Sequence, residues 1–110
     1  MKHQFSEEVS ARHLSEAVHF RTISNAHEDA VDYEPFFEMH KWLEKTYPNV
    51  HRVMERERFG KAGLLYHWKG TGKSGWDPIM LMAHQDVVPA GDETLWKYPP
   101  FDGVIADGHV

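Results

Sequence analysis

Pro78-Ile79-Met80-Leu81-Met82-Ala83-His84-Gln85-Asp86-Val87-Val88-Pro89 decides how this chain is read. Residues 79–83 carry no formal charge and form an apolar run of strand length that ends in a histidine. Such a run predicts a strand buried on both faces, as parallel strands in α/β proteins are. Ligands of open α/β sheets collect just outside the carboxyl ends of these strands, where His84 falls. Side chains two apart on an extended chain point the same way, so Asp86 can reach the imidazole of His84. A carboxylate that accepts one ring N–H fixes the tautomer and makes the other nitrogen a better metal ligand. The spacing suits a metal-binding histidine with its own orienting carboxylate. A His-x-Asp pair also occurs in many proteins without a site, and it is the position after an apolar strand that favours the functional reading.

Moving outward, Met82-Ala-His84-Gln-Asp86-Val-Val-Pro89 is followed by Trp96-Lys-Tyr-Pro-Pro-Phe-Asp-Gly-Val-Ile-Ala-Asp-Gly108. Together these blocks resemble the M20 family of zinc metallopeptidases and amidohydrolases. That family carries a His-x-Asp-x-Val-Pro segment, then a tryptophan, then a Pro-Phe-x-Gly segment ending in Asp-Gly. The resemblance implies hydrolysis of amide bonds in peptides or N-acyl amino acids, with two zinc ions as cofactor. Residue by residue, His84 matches the histidine that binds one zinc, and Asp86 matches the catalytic-site carboxylate that orients it. Trp96 and the run Pro99-Pro100-Phe101 match a segment expected to pack around the active-site rim.

In the family, the Asp-Gly block leads to a Gly-Arg-Gly segment and a metal-bridging aspartate. Here Asp107-Gly108-His109-Val110 closes the sequence before that point. The general-base glutamate, the remaining ligands and the inserted dimerisation domain have no counterpart. The resemblance therefore implies that residues 1–110 are an amino-terminal part of the catalytic domain, in the carboxypeptidase S-like or acyl-amino-acid hydrolase branch, inactive alone. Two alternatives stand beside it: a non-catalytic remnant or interaction module, and one half of a split enzyme.

With 41% hydrophobic and 26% charged residues over 110 positions, the composition is that of a globular piece rather than a disordered one. A net charge of -5 leaves no basic face for phosphates, which argues against nucleic acid as a partner. The absence of cysteine excludes disulfides and thiolate metal ligands. No apolar run has the length of a signal peptide core or a membrane span, so the expected location is cytoplasmic, without a membrane partner.

The elements expected are those of a partial α/β sandwich. Residues 10–20 read as a helix capped by Ser10, with Leu14, Ala17 and Val18 on its apolar face. Residues 22–31 read as irregular. A second helix starts at Asp32 to Pro35, buries the stripe Phe36, Met39, His40 and Leu43, and stops at Pro48. Residues 50–58 and 64–68 form an antiparallel hairpin about Gly60 to Gly63, with the 79–83 strand parallel to one of its strands. A short strand is expected at 103–106. With its outer neighbours absent, the buried strand would leave an uncovered edge through which the chain self-associates. Gly70-Thr-Gly-Lys-Ser-Gly75 is read as a flexible loop. It contains glycine, lysine and serine but leads into an apolar strand, so it fails the phosphate-loop pattern. His3, His13, His19, His27, His40, His51, His67 and His109 are read as satisfied or solvated histidines, with His51 and His67 on the hairpin.

Overall fold

Residues 5–72 and 75–110 are described by a computed structural model of the chain. The expectations at His3 and at the Lys73-Ser74 centre of the glycine loop lie outside the described residues. The element order is α1 (Glu7–Val18), a 3₁₀ turn (Glu28–Ala30), α2 (Glu34–Thr46), α3 (Pro48–Val53), β1 (Glu55–Phe59), β2 (Gly63–His67) and a second 3₁₀ turn (Glu93–Leu95). The α/β class and the helix-then-hairpin order are as expected.

α1 begins one turn earlier than its spacing suggests. Ser6, not Ser10, is the cap, and its Oγ accepts from the Val9 amide at 3.3 Å. Glu7 and Glu8 then fall in the first turn, where the helix dipole favours carboxylates. α2 starts as expected: Asp32 accepts from the Glu34 amide at 3.1 Å and Pro35 occupies the first turn. Its stripe turns inward at Phe36 and His40, each only 6% exposed. Pro48 ends α2 but also opens α3, so residues 50–53 are helical rather than the start of a strand. Proline suits a first helical position because its missing N–H has no intrahelical partner to lose. His51 therefore sits on α3, where its ring meets the Tyr47 carbonyl at 2.8 Å and the Tyr66 hydroxyl at 2.9 Å.

The hairpin pairs Glu55 with His67 through Phe59 with Gly63. Arg56, Leu64 and Tyr66 alternate onto the half-buried face. Arg56 reaches Glu44 and the His40 carbonyl, and Arg58 lies over the Phe37 ring at 5.2 Å, tying the hairpin to α2. α1 meets α2 through aromatic edges, with Trp42 against His13, Phe20 and Tyr47, and the Trp42 indole donates to Glu16 at 2.8 Å.

The buried strand at 79–83 does not form. These residues have no regular structure, and Ile79, Met80, Leu81 and Met82 are 76 to 91% exposed. A strand needs a hydrogen-bonding neighbour and covering layers, and among the described residues β1 and β2 pair only with each other. A parallel contact does exist, displaced along the chain: Ile23 bridges Val87. The Val87 amide donates to the Thr22 carbonyl at 2.9 Å, and the Ser24 amide donates to the Val87 carbonyl at 2.8 Å. The stretch 22–24, read as irregular, is therefore the partner that anchors the histidine segment. At 103–106 only the end of the expected strand pairs: Ala106 bridges His109 across Asp107 (φ 54°) and Gly108 (φ 76°).

The chain exposes 9689 Å², against about 6300 Å² for a folded monomer of this size. Its radius of gyration is 17.0 Å, where a compact domain of this length has about 13 Å. Residues 79–82 and Leu14 of α1 are uncovered, and the α2 stripe beyond Phe36 and His40 is only half-covered. No helix among the described residues is long and apolar enough to cross a membrane.

Candidate functional site

The backbone of residues 85–87 is held against 22–24, and the side chains alternate about it. His84 and Asp86 turn to one side while Gln85 turns inward, the period-two geometry of an extended segment. The His84 Nδ1 lies 2.8 Å from the Asp86 main-chain oxygen and 3.3 Å from its carboxylate Oδ1. Both neighbours are acceptors, so Nδ1 carries a proton, and in the neutral ring Nε2 then presents its lone pair outward. The ring is 85% exposed, so that nitrogen is open to a ligand. The two residues expected to act together are brought together. The main-chain carbonyl is the nearer acceptor, and the carboxylate stands just behind it.

Gln85, which sequence reasoning passed over, connects this pair to the rest of the molecule. Its Oε1 is 2.7 Å from His40 Nε2, and its Nε2 donates to the Ala62 carbonyl at 2.9 Å. Its own carbonyl accepts from Thr22 Oγ1 at 2.7 Å, and Thr22 is 1% exposed. The available signal was a glutamine between two outward residues, a position whose side chain must face the interior.

Residues 84–86 stand where three clefts meet. His84 ends an open groove of about 800 Å³ between α1 and α2, lined by Leu14, Met39, Trp42 and Leu43. Asp86 opens onto a mixed polar and apolar cleft of about 430 Å³ whose polar lining includes Ser24, Asn25, Tyr33 and Lys61. Desolvation, and then the Glu28 carboxylate, raise the Tyr33 hydroxyl above its usual range. The third cleft, about 450 Å³, is apolar and runs from Val87, Val88 and Pro89 to Trp96, Pro100 and Phe101. The Trp96 indole donates to the Ala90 carbonyl at 3.0 Å, and Arg21 covers the Phe101 ring at 4.4 Å. Gly103 closes this segment onto α1, where Ser15 Oγ donates to its carbonyl at 2.6 Å.

A catalytic zinc takes three protein ligands and leaves one position open. Among the described residues no three His, Cys, Asp or Glu side chains gather at one point. His84 Nε2 fits one position of such a sphere in chemistry and access, and His84 with Asp86 does not complete it. His109 repeats the local geometry, with Nδ1 2.8 Å from the Asp107 carbonyl.

No family model matches the chain, and no solved structure matches it. Curated relatives do. Carboxypeptidase S of Saccharomyces cerevisiae is 44% identical over 101 residues, covering 86% of this chain and 17% of the relative. Probable carboxypeptidase S-like 2 of Dictyostelium discoideum is 39% identical over 102 residues, 91% of this chain and 20% of the relative. The N-fatty-acyl-amino acid synthase/hydrolase of Mus musculus is 35% identical over 112 residues, 97% of this chain and 22% of the relative. The chain is thus similar along nearly all its length to proteins named as hydrolases, and it spans about a fifth of their length.

Proposed function

We propose that this chain supplies the His-x-Asp part of a zinc-dependent M20-type hydrolase that cleaves amide bonds of peptides or N-acyl amino acids. The observation that supports this most is the His84 ring, with Nδ1 engaged by Asp86 and Nε2 open, inside a segment similar to carboxypeptidase S. In this reading His84 is a metal ligand through Nε2, and Asp86 fixes the ring's tautomer and orientation. Zinc, when bound, supplies Lewis-acid polarisation of the scissile carbonyl. The apolar cleft from Val88 to Phe101 would carry a side chain or acyl chain next to the reacting bond.

Two or more further ligands and a general base would have to come from outside the residues that converge here. On its own the chain would bind zinc with a Kd of about 10 μM, some −7 kcal/mol, and turn over nothing. That incompleteness favours a site assembled with further polypeptide over a self-sufficient one. A chimera tests the assignment: the matching segment of Saccharomyces cerevisiae carboxypeptidase S is replaced by this sequence and assayed on dipeptides and N-acyl amino acids with added zinc. Hydrolysis is expected, and its loss in the His84→Ala chimera. A folded chimera whose hydrolysis survives His84→Ala would refute the assignment.

A further inference from the structure

We infer that Gln85 is a positioning residue: clamped by His40, Ala62 and Thr22, it sets the geometry in which Asp86 engages His84. The inference deepens the proposed function, since it matters only if His84 is a ligand. The Ala62 carbonyl can only accept, so the group 2.9 Å from it must be the amide nitrogen of Gln85. The amide oxygen then faces His40 Nε2 at 2.7 Å, which requires that ring nitrogen to carry a proton. The glutamine carboxamide accepts from one partner and donates to the other through a single planar group. Methionine would fill the same space without either bond.

The main chain transmits the clamp. The Gln85 carbonyl is fixed by Thr22 Oγ1 at 2.7 Å, and the Val87 amide by the Thr22 carbonyl at 2.9 Å. The Asp86 carbonyl shares a planar trans peptide with the Val87 amide and so points the opposite way. With Val87 N–H directed at Thr22, the Asp86 carbonyl is directed away from 22–24, to where the His84 Nδ1 meets it at 2.8 Å. Three separate parts of the fold therefore converge on one side chain and its backbone: α2 through His40, the β1–β2 turn through Ala62, and the 22–24 stretch. His40 is 6% exposed, so loss of the glutamine amide leaves its ring N–H a buried donor that water does not readily reach.

The test follows the ring of His84 by ¹⁵N NMR in the histidine-labelled protein. The wild type is expected in the Nδ1–H tautomer. In Gln85→Met, of similar volume, the ring should move toward the Nε2–H form while the helical circular dichroism is kept. A titration with zinc alone, read on the His84 resonances, should show affinity weakened roughly tenfold, the lower end of what loss of a ligand's supporting partner does. If Gln85→Met loses its helical signal, Thr22→Val decides instead, since it keeps the buried shape and removes only the hydroxyl contact to the Gln85 carbonyl. His84 resonances and zinc response that stay at wild-type values in the folded variant overturn the inference. The two readings separate cleanly. A His84 ring that responds to Gln85 but takes up no zinc leaves the clamp standing and removes the ligand assignment. Zinc uptake through His84 that is indifferent to Gln85 does the reverse.

Discussion

Replacing Gly103 by alanine should release the Pro99 to Val110 segment from α1, and the cost can be worked out from two separate effects. Gly103 has φ +56°, where an L-residue costs about 1–2 kcal/mol. A Cβ there would lie 2.3 Å from the Ser15 carbonyl oxygen and 2.8 Å from Ser15 Oγ. Backbone cannot give way as a flexible side chain does, so relieving that overlap adds about 1–3 kcal/mol of overpacking. Moving the loop also breaks the bond from Ser15 Oγ to the Gly103 carbonyl, about 1 kcal/mol. The total, about 3–6 kcal/mol, is comparable with the whole stability of many small domains. Gly60 provides the control: its φ is +55° but nothing lies within 4 Å of its virtual Cβ. Gly60→Ala should therefore show the conformational cost alone, about 1–2 kcal/mol. Urea unfolding followed by circular dichroism, with the amide resonances around Ser15 recorded in native buffer, compares the two. Global loss of stability lowers the urea midpoint, and local release moves the Ser15 resonances without it. If Gly103→Ala matches Gly60→Ala in midpoint and leaves those resonances unmoved, the close-approach argument is refuted. This also gives the glycine of the Pro-Phe-Asp-Gly block a physical reason: only hydrogen fits against α1 there.

Two further outcomes follow from exposed features. Asp92 accepts from the Thr94 hydroxyl at 2.6 Å and the Thr94 amide at 3.0 Å, which lowers its carboxyl below the usual range. A depressed folded value means that its contribution is present above the ordinary carboxyl range and is lost as pH falls through the folded value. Thr94→Val should move the Asp92 carboxyl upward in a ¹³C titration, and an unchanged titration would sink the cause assigned. Residues 79–82 leave four large apolar side chains in water, each worth about 1.5–3 kcal/mol if covered. The protein should self-associate with rising concentration in light scattering, and Leu81→Asp should raise the monomer fraction. A stable wild-type monomer at high concentration would count against it.

What could be read from the sequence divides along the range of the interactions. α2 and the hairpin carry their own information: a turn-forming aspartate and first-turn proline, a stripe at helical spacing, and a glycine turn between alternating strands. Local chemistry suffices there for α2, the turn and β2, while the first strand starts at Glu55 instead of residue 50 because Pro48 opens α3. The start of α1 differs because Ser6 and Ser10 are equally good caps in isolation, and only the acidic first turn at Glu7 and Glu8 separates them. Residues 79–83 fail for a different reason. Their composition describes a strand with neighbours, and a pattern cannot state whether the neighbours are present.

The candidate site shows the same division at finer scale. His84 and Asp86 were legible because a two-residue spacing on an extended chain is a local fact. That the Asp86 carbonyl lies nearer the ring than its carboxylate depends on the direction of one peptide plane, fixed by Thr22 some sixty-five positions away. Gln85 and His40 are joined across 45 positions by a bond that neither residue announces alone. A lone histidine on an apolar helix stripe requires a polar partner, because burial without one is costly. Read that way, His40 on the Phe36–Leu43 stripe already asked for an acceptor from elsewhere in the chain. The inward residue between His84 and Asp86 is the one that supplies it.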